Sequence, residues 1–150
     1  MKNMLEKIIN DKKESLILIK KNNSLDSLDL KIKNLNSFYN FKKSIEENEG
    51  IAIISEIKKA SPSAGIIVNN FNHLDIAKVY FENGATCLSV LTEEKNFLGK
   101  LDFISDIKKN LKIPILAKDF FIDPYQVALS KSYGCDCILI IVAALNEKQA

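Results

Sequence analysis

Four short apolar runs alternate with segments of helical periodicity from residue 51 onward. These runs are residues 51–57, 86–91, 113–117 and 135–142. Gly84 and Gly134 stand just ahead of two of the runs, where each is placed to end a helix. Repeated strand–helix steps with short connections are typical of a parallel sheet covered by helices, and right-handed crossovers curl such steps in one direction. The pattern therefore predicts an α/β fold.

Local capping signals support the helices between these strands. Asn72 can cap a helix that Gly84 ends, and apolar residues recur at helical spacing through residues 101–111. Residues 123–126 combine an acidic cap, a proline at the first helical position and a glutamine three residues after the cap. A further helix is predicted to begin at Asn146.

The first fifty residues predict a helical, lysine-rich extension ahead of the sheet. Apolar residues recur at helical spacing in residues 4–9 and again in residues 38–45, with residues 36–37 as candidate caps of the second helix. The polar residues 20–24 predict a loop between the two helices.

The charge balance argues against a nucleic-acid-binding protein. The 21 basic residues, all of them lysines, face 19 acidic residues, which leaves a formal net charge of +2. A dedicated nucleic-acid binder shows a clustered basic face and usually arginines for bidentate contacts. Residues 1–10 lack the apolar core of a secretion signal, and no segment approaches the roughly 20 apolar residues of a membrane span. We therefore expect a cytoplasmic protein that binds neither nucleic acid nor membrane.

Metal ligands are scarce in the sequence. His73 is the only histidine, and Cys87, Cys135 and Cys137 lie within apolar, strand-like runs. A four-ligand site for a soft metal needs more donors than these. We expect no metal site and interpret the three thiols as small, buried apolar side chains.

Charged side chains gather where the predicted strands end. Because strand side chains alternate, Glu56 and Lys58 project to the same face at the end of the first strand. Lys118 follows the third strand in the same way. The carboxylate stays ionised beside two amines, whereas each amine feels the other as a like charge, which tends to lower its pKa. A lysine with a lowered pKa can act as a general acid or base, and one that stays charged can hold a phosphate or carboxylate. The simpler interpretations are a surface ion pair for Glu56 and Lys58, and a lysine that reaches solvent from a strand end for Lys118.

Two architectures accommodate four parallel strands: a small doubly wound sheet, or part of an eight-stranded barrel. No glycine-rich phosphate loop follows any strand, which disfavours the first. Polar residues instead end several strands, with Thr92 after the second and Asp119 beside Lys118 on the third. This distribution is typical of a (β/α)8 TIM barrel. We predict that residues 51–150 form its first four βα units, preceded by the helical extension 1–50.

Three stretches together resemble the indole-3-glycerol phosphate synthase family of tryptophan biosynthesis. They are residues 54–65 (ISEIKKASPSAG), 88–99 (LSVLTEEKNFLG) and 115–126 (ILAKDFFIDPYQ), and residues 139–145 also fit the family's fourth strand. The resemblance implies a (β/α)8 barrel with an amino-terminal helical extension. It also implies a lyase that converts 1-(2-carboxyphenylamino)-1-deoxyribulose 5-phosphate to indole-3-glycerol phosphate, with loss of carbon dioxide and water and without a cofactor or metal.

The same resemblance implies catalytic roles for the three charged residues. Lys118 would be the general acid that protonates the substrate carbonyl oxygen. Lys58 would hold the substrate carboxylate or phosphate, and Glu56 would orient the lysines and take part in proton transfer.

Binding roles follow from the resemblance for four further residues. Ser61 would reach the phosphate, while Pro62, Phe97 and Phe120 would line an apolar slot for the anthranilate ring. Core packing is the simpler role for Phe97 and Phe120, and it is the role that we assign to Phe121.

The chain is shorter than a complete barrel, which needs roughly 250 residues. We therefore expect a fragment of the enzyme that does not turn over substrate alone and that lacks the later strands of the phosphate site. One alternative is a non-catalytic half-barrel that self-associates, or pairs with a missing carboxyl-terminal half, through the open strand edges at residues 51–57 and 135–142. Another is a different phosphate-handling barrel enzyme, such as a sugar-phosphate isomerase.

Overall fold

The computed structural model describes residues 4–146, and they form a parallel sheet with helices before and between its strands. The helices are α1 (Met4–Asn22), α2 (Leu25–Lys33), α3 (Phe41–Glu46), α4 (His73–Glu82), α5 (Asp102–Asn110), α6 (Tyr125–Ser132) and a final 3-10 turn (Val142–Ala144). The strands are β1 (Ile54–Ile57), β2 (Ala60–Ser61), β3 (Gly65–Ile66), β4 (Cys87–Leu91), β5 (Ile115–Lys118) and β6 (Cys137–Ile138). Of the helix predicted from Asn146, the positions after Asn146 lie outside the described residues.

The main sheet has four parallel strands in the order β1-β4-β5-β6. This arrangement confirms the predicted parallel α/β fold, because the four strands of the main sheet lie side by side in the order in which they occur along the chain. Strands β2 and β3 form a separate antiparallel hairpin between β1 and α4. This hairpin is not predicted from the sequence.

The register of the parallel strands separates the two faces of the sheet. Ile57 lies opposite Val90, and Val90 lies opposite Ala117. All three side chains are at most 1% exposed, and they share the core with apolar residues of α4 and α5, among them Ala77, Ile104 and Ile107. The neighbouring row, Glu56, Ser89 and Leu116, points to the opposite face because strand side chains alternate.

The edge strands are shorter than the sequence predicts. β1 begins at Ile54, so the predicted buried run at residues 51–54 is wrong: Ile51 is 88% exposed and Ile53 is 50% exposed. β1 pairs only with β4 in the described residues, so its other edge has no strand partner there. The fourth strand is predicted at residues 135–142 but contains only Cys137 and Ile138. Within residues 4–146 it has a single neighbour, β5, and the chain turns soon after it leaves the sheet.

The amino-terminal extension is helical, as predicted, but its boundaries differ. α1 continues to Asn22, so the loop predicted at residues 20–24 is reduced to Asn23 and Ser24. Ser24 then caps α2, a helix that the sequence analysis missed. α3 begins later than predicted, because Asn40 rather than residues 36–37 accepts a hydrogen bond from a free amide of its first turn.

The extension packs on the last helix of the sheet unit. Leu16 of α1 and Leu28 of α2 are buried in a second apolar cluster with Ile122, Tyr125 and Leu129. This cluster is distinct from the core between the sheet and helices α4 and α5, and Leu101 packs against both. The division of the chain into an extension (1–50) and a barrel segment (51–150) stays a prediction.

The predicted helix ends and starts around the sheet are confirmed. The Asn72 side chain accepts hydrogen bonds from two backbone amides of α4, and Gly84 and Gly134 adopt the positive φ that follows a helix. At the start of α6, Asp123 accepts from the Tyr125 amide while the Gln126 side chain accepts from the Asp123 amide. These reciprocal hydrogen bonds are the ones that the signal at residues 123–126 predicts.

A buried ion pair joins four parts of the chain at the amino-terminal end of the sheet. Asp136 accepts two hydrogen bonds from Lys108 Nζ, at 2.9 and 3.1 Å, and their side chains are 0% and 5% exposed. Its oxygens also accept from the amides of Tyr39 and Ile115. Burial lowers the pKa of Lys108, and the Asp136 carboxylate offsets part of that effect. Asp136 therefore connects β5, α5 and the extension to the start of β6.

Replacement of Asp136 by asparagine should destabilise the fold by about 3–5 kcal/mol, because it leaves a buried lysine without its counterion. Urea unfolding of the wild type and the Asp136→Asn variant measures the difference. The matched control is Asp29→Asn on the exposed side of α2, which should change the free energy of unfolding by no more than about 0.5 kcal/mol. Equal effects of the two substitutions would contradict a structural role for the buried pair.

Candidate active site

Glu56, Lys58 and Lys118 form a charged cluster at the carboxyl ends of β1 and β5. Lys58 Nζ donates to Glu56 Oε1 at 2.7 Å, and Lys118 Nζ donates to Glu56 Oε2 at 3.3 Å. One carboxylate thus bridges two ammonium groups. The predicted proximity of Glu56 and Lys58, and the approach of Lys118 to Glu56, are present in the structure.

Strand order explains why only long side chains can make this cluster. β4 lies between β1 and β5, so the two strands are two sheet spacings, or about 10 Å, apart. The β4 residue opposite Glu56 is Ser89, and its small side chain leaves room for Glu56 and Lys118 to meet. Lys118 lies opposite Leu91, which is two residues after Ser89 on β4 and therefore on the same face of the sheet.

The charged cluster has a net positive charge and is open to solvent. The side chains of Glu56, Lys58 and Lys118 are 32%, 34% and 35% exposed, so a ligand can reach all three. Burial alone would raise the pKa of Glu56, but the hydrogen bond from Lys58 and the charge of Lys118 outweigh it and lower that pKa. Glu56 is therefore ionised at neutral pH, and two ammonium groups beside one carboxylate can bind an anion.

Phe97 and Phe120 approach each other from the loops that follow β4 and β5. Their ring centroids are 6.3 Å apart and the rings are tilted by 42°. The first loop is shaped by Glu93, which is 2% exposed and accepts hydrogen bonds from the amides of Asn96 and Phe97. The two rings can form one apolar surface, as the predicted slot requires. Phe121, in contrast, is 4% exposed within the core, as expected.

Ser61 and Pro62 belong to the β2–β3 hairpin. Ser61 Oγ accepts a hydrogen bond from the Ala64 amide at 3.2 Å and lies 3.4 Å from Ser63 Oγ, while Pro62 is exposed in the turn. These interactions are all internal to the hairpin. The roles proposed for Ser61 in phosphate binding and for Pro62 in the aromatic slot stay predictions.

Residues 4–146 contain no group of three or more histidine, cysteine or acidic side chains that could hold a metal ion. Burial raises the pKa of Cys135 to about 12 and that of Cys87 to about 11, and both residues lie in the core, as predicted. Cys137 is half-buried in β6. Among the described residues, no helix is both long and apolar enough to cross a bilayer.

One interaction beside the site is not predicted from the sequence: the buried ion pair between Lys12 of α1 and Asp119. Their charged atoms are 2.7 Å apart. A cavity of about 320 Å³ adjoins this pair and extends between α1 and the loops after β4 and β5. The position of Asp119 at a strand end is visible in the sequence, but no local pattern in the extension identifies Lys12 as its partner.

The parallel sheet, its covering helices and the polar residues at several strand ends are the features expected of a segment of a βα barrel. Residues 5–150 match the family model described as indole-3-glycerol phosphate synthase. The chain belongs to the indole-3-glycerol phosphate synthase family.

Individual relatives agree with the family match. The chain is 48% identical to the indole-3-glycerol phosphate synthase of Aliarcobacter butzleri, in an alignment that covers 97% of this chain and 57% of the relative. The proteins of the same name from Legionella pneumophila strain Lens and Clostridium acetobutylicum are 43% and 44% identical over 99% and 97% of this chain. The alignments cover 57% and 55% of those two proteins, so the chain spans little more than half the length of these relatives.

The charged cluster should make stability depend on pH through Glu56. Its folded-state pKa is lowered, so its stabilising contribution is present above the ordinary value of 4.5 and is lost as the pH falls through the lower folded pKa. Urea midpoints of the wild type and Glu56→Gln, measured from about pH 7 down to about pH 3, should therefore differ most near neutrality. The exposed Glu82→Gln variant is the control. A difference between wild type and Glu56→Gln that stays constant with pH would contradict the pairing.

Proposed function

We propose that this chain carries part of the active site of an indole-3-glycerol phosphate synthase. The enzyme would act in the cytoplasm on 1-(2-carboxyphenylamino)-1-deoxyribulose 5-phosphate. The observation that carries the proposal is the charged cluster, in which Glu56 bridges Lys58 and Lys118 from two strands that are not adjacent. The names of the relatives support this activity in preference to that of another phosphate-handling barrel enzyme.

In the proposed reaction, Lys118 donates a proton to the carbonyl oxygen of the substrate. This proton makes the carbonyl carbon electrophilic, so the ring carbon that bears the carboxylate can attack it. The new carbon–carbon bond forms as the carbonyl oxygen becomes a hydroxyl, and carbon dioxide leaves from the attacking ring carbon, whose electron pair restores the aromatic ring. The hydroxyl then takes up a second proton and leaves as water, while the neighbouring carbon attached to nitrogen loses a proton to form the indole double bond. Each turnover therefore releases one carbon dioxide and one water. The reaction needs a proton donor but neither an oxidant nor a reductant.

In this proposal Lys58 binds the substrate and Glu56 orients the two lysines before the reaction begins. The Lys58 ammonium pairs with the carboxylate or phosphate of the substrate, both of which are negatively charged at neutral pH. Glu56 holds both ammonium groups by hydrogen bonds of 2.7 and 3.3 Å, so it orients Lys118 and takes part in the return of protons. A carboxylate that stays ionised at neutral pH suits this role, because it can accept a hydrogen bond from each lysine.

The anthranilate ring is proposed to lie against Phe97 and Phe120. Their tilted arrangement at 6.3 Å offers an apolar surface on which a flat aromatic ring can pack. Pro62 would extend this surface and Ser61 would reach the phosphate, both from the hairpin after β1.

The proposed activity also needs residues from the portion of the relatives that does not align with this chain. We propose that the open edges of β1 and β6 pair with further strands, supplied by that remaining portion or by a second copy of the chain. Completion of the sheet would cover the face that carries the Glu56, Ser89 and Leu116 row.

Open strand edges predict that the 150-residue chain self-associates at micromolar concentrations. Sedimentation equilibrium measures its mass. The control is a joined protein, in which this chain is continued by the remaining portion of the Aliarcobacter butzleri relative, and this protein should not associate through the same edges. A compact monomer of the short chain that unfolds cooperatively would contradict the proposed pairing of the edges.

Lys118→Met and Phe120→Leu should separate the chemical step from binding in the joined protein. Loss of the general acid should lower kcat by about 10²–10⁴-fold. Loss of an aromatic wall should mainly raise KM. Indole fluorescence of the product follows turnover, and Lys78→Met on the exposed side of α4 should behave as the wild type. Unchanged kcat in Lys118→Met would remove this lysine from the mechanism.

A further inference from the structure

Asp119 directly follows Lys118, and its carboxylate is held by two distant side chains. Its Oδ1 atom lies 2.7 Å from Lys12 Nζ, and its Oδ2 atom accepts a hydrogen bond from Thr92 Oγ1 at 2.9 Å. The side chains of Lys12 and Asp119 are only 11% and 9% exposed. We refer to Lys12, Thr92 and Asp119 as the Asp119 clamp. It connects α1 to the loops that follow β4 and β5.

The Asp119 clamp controls the backbone of Phe120. The Phe120 amide donates to Asp119 Oδ1 at 2.7 Å, so the carboxylate that Lys12 holds also holds this amide. On the other side, the Phe120 carbonyl accepts from Gln126 Nε2 at 2.9 Å. Phe120 lies beyond the end of β5 and has no strand partner in the register of the described sheet. These side-chain hydrogen bonds are therefore what orient it.

Lys118 is held in a different way. It is the last residue of β5, lies opposite Leu91 in the sheet register, and its carbonyl accepts from the Thr92 amide at 3.0 Å. These are backbone interactions that do not involve Lys12. Loss of Lys12 should therefore disturb Phe120 much more than Lys118.

Close packing alone does not hold Asp119 in place, because a cavity adjoins its ion pair with Lys12. The cavity of about 320 Å³ is lined by Lys12, Thr92, Asp119 and Gln126, together with other residues of α1 and the adjoining loops. Close-packed surroundings would hold a side chain in place after its partner is removed, whereas an adjoining cavity gives it space to move. The position of Asp119 therefore depends on its charged and hydroxyl partners.

We propose that Lys12 is a positioning residue for substrate binding, which acts through Asp119 on the aromatic wall formed by Phe120. This proposal rests on the proposed function, because it assigns the Phe120 wall to the anthranilate ring. The first helix of the extension thereby acquires a specific role, since α1 sets the affinity for the aromatic part of the substrate without contacting the substrate.

The kinetic test uses the joined protein and separates KM from kcat. Lys12→Met should raise KM about tenfold, equivalent to about 1.4 kcal/mol, with kcat within about twofold of the wild type. Lys12→Arg retains the charge and should recover most of the affinity. The matched control is Lys13→Met, because Lys13 is the exposed neighbour of Lys12 in α1 and should leave both constants unchanged. Assays well below the melting temperature of each variant separate this effect from a loss of folded protein.

A second measurement tests the clamp without turnover. Hydrogen exchange of the 150-residue chain should become faster at the Phe120 amide in Lys12→Met, while the amides of β4 keep their wild-type protection. An unchanged KM, a loss confined to kcat, or unchanged exchange at Phe120 would each overturn the proposal. A joined wild-type protein that makes no product would instead count against the proposed function, and the exchange measurement would still decide whether Lys12 holds this segment.

Discussion

The parallel ladder through β4 is the constraint on which the rest of the structure depends. Among the described strands of this sheet, β4 alone is buried at every position, and it pairs with β1 on one side and β5 on the other. Its register aligns Ile57, Val90 and Ala117 toward the helices. The same register must then align the alternate residues toward the opposite face, where Glu56 and Lys118 lie. Burial of the core and assembly of the charged cluster are therefore two results of one hydrogen-bonding pattern.

The two ends of the sheet use ion pairs for different purposes. At the amino-terminal end, Asp136 and Lys108 are almost completely buried, and the Asp136 carboxylate also accepts hydrogen bonds from backbone amides of the extension and of β5. Such a pair specifies how α5, β5 and the extension fit together, because an unpaired member would be costly. At the carboxyl end, the Glu56 pairs remain about one-third exposed. They contribute less to stability, since solvent screens them, but they leave ammonium groups available to a ligand.

Regular patterns in the sequence predict the parts of the fold that depend on local rules. Alternation along a strand places Glu56 and Lys58 together, and glycine and asparagine signals mark the ends of α4. The errors occur where tertiary neighbours decide. Ile51 and Ile53 are apolar enough for a buried strand, yet they lie at an edge that has a single neighbouring strand among the described residues. Lys12 resembles the other lysines of the extension, and only the packing of α1 against the loops gives it a buried carboxylate partner.

Strand residues and loop residues of the candidate site are held by different interactions. This difference explains why helix α1 of the extension takes part in the site. The ladder orients Glu56 and Lys118, because both lie within strands and the hydrogen bonds of β4 reach each strand directly. Phe97 and Phe120 lie beyond the strand ends, where backbone pairing stops. A buried carboxylate, Glu93 or Asp119, accepts the amide hydrogen bond of each of these residues. A buried carboxylate needs partners of its own, and for Asp119 one of them is the ammonium group supplied by α1. The cost of burying the Asp119 charge thus links the extension to the side of the candidate site that carries Phe120.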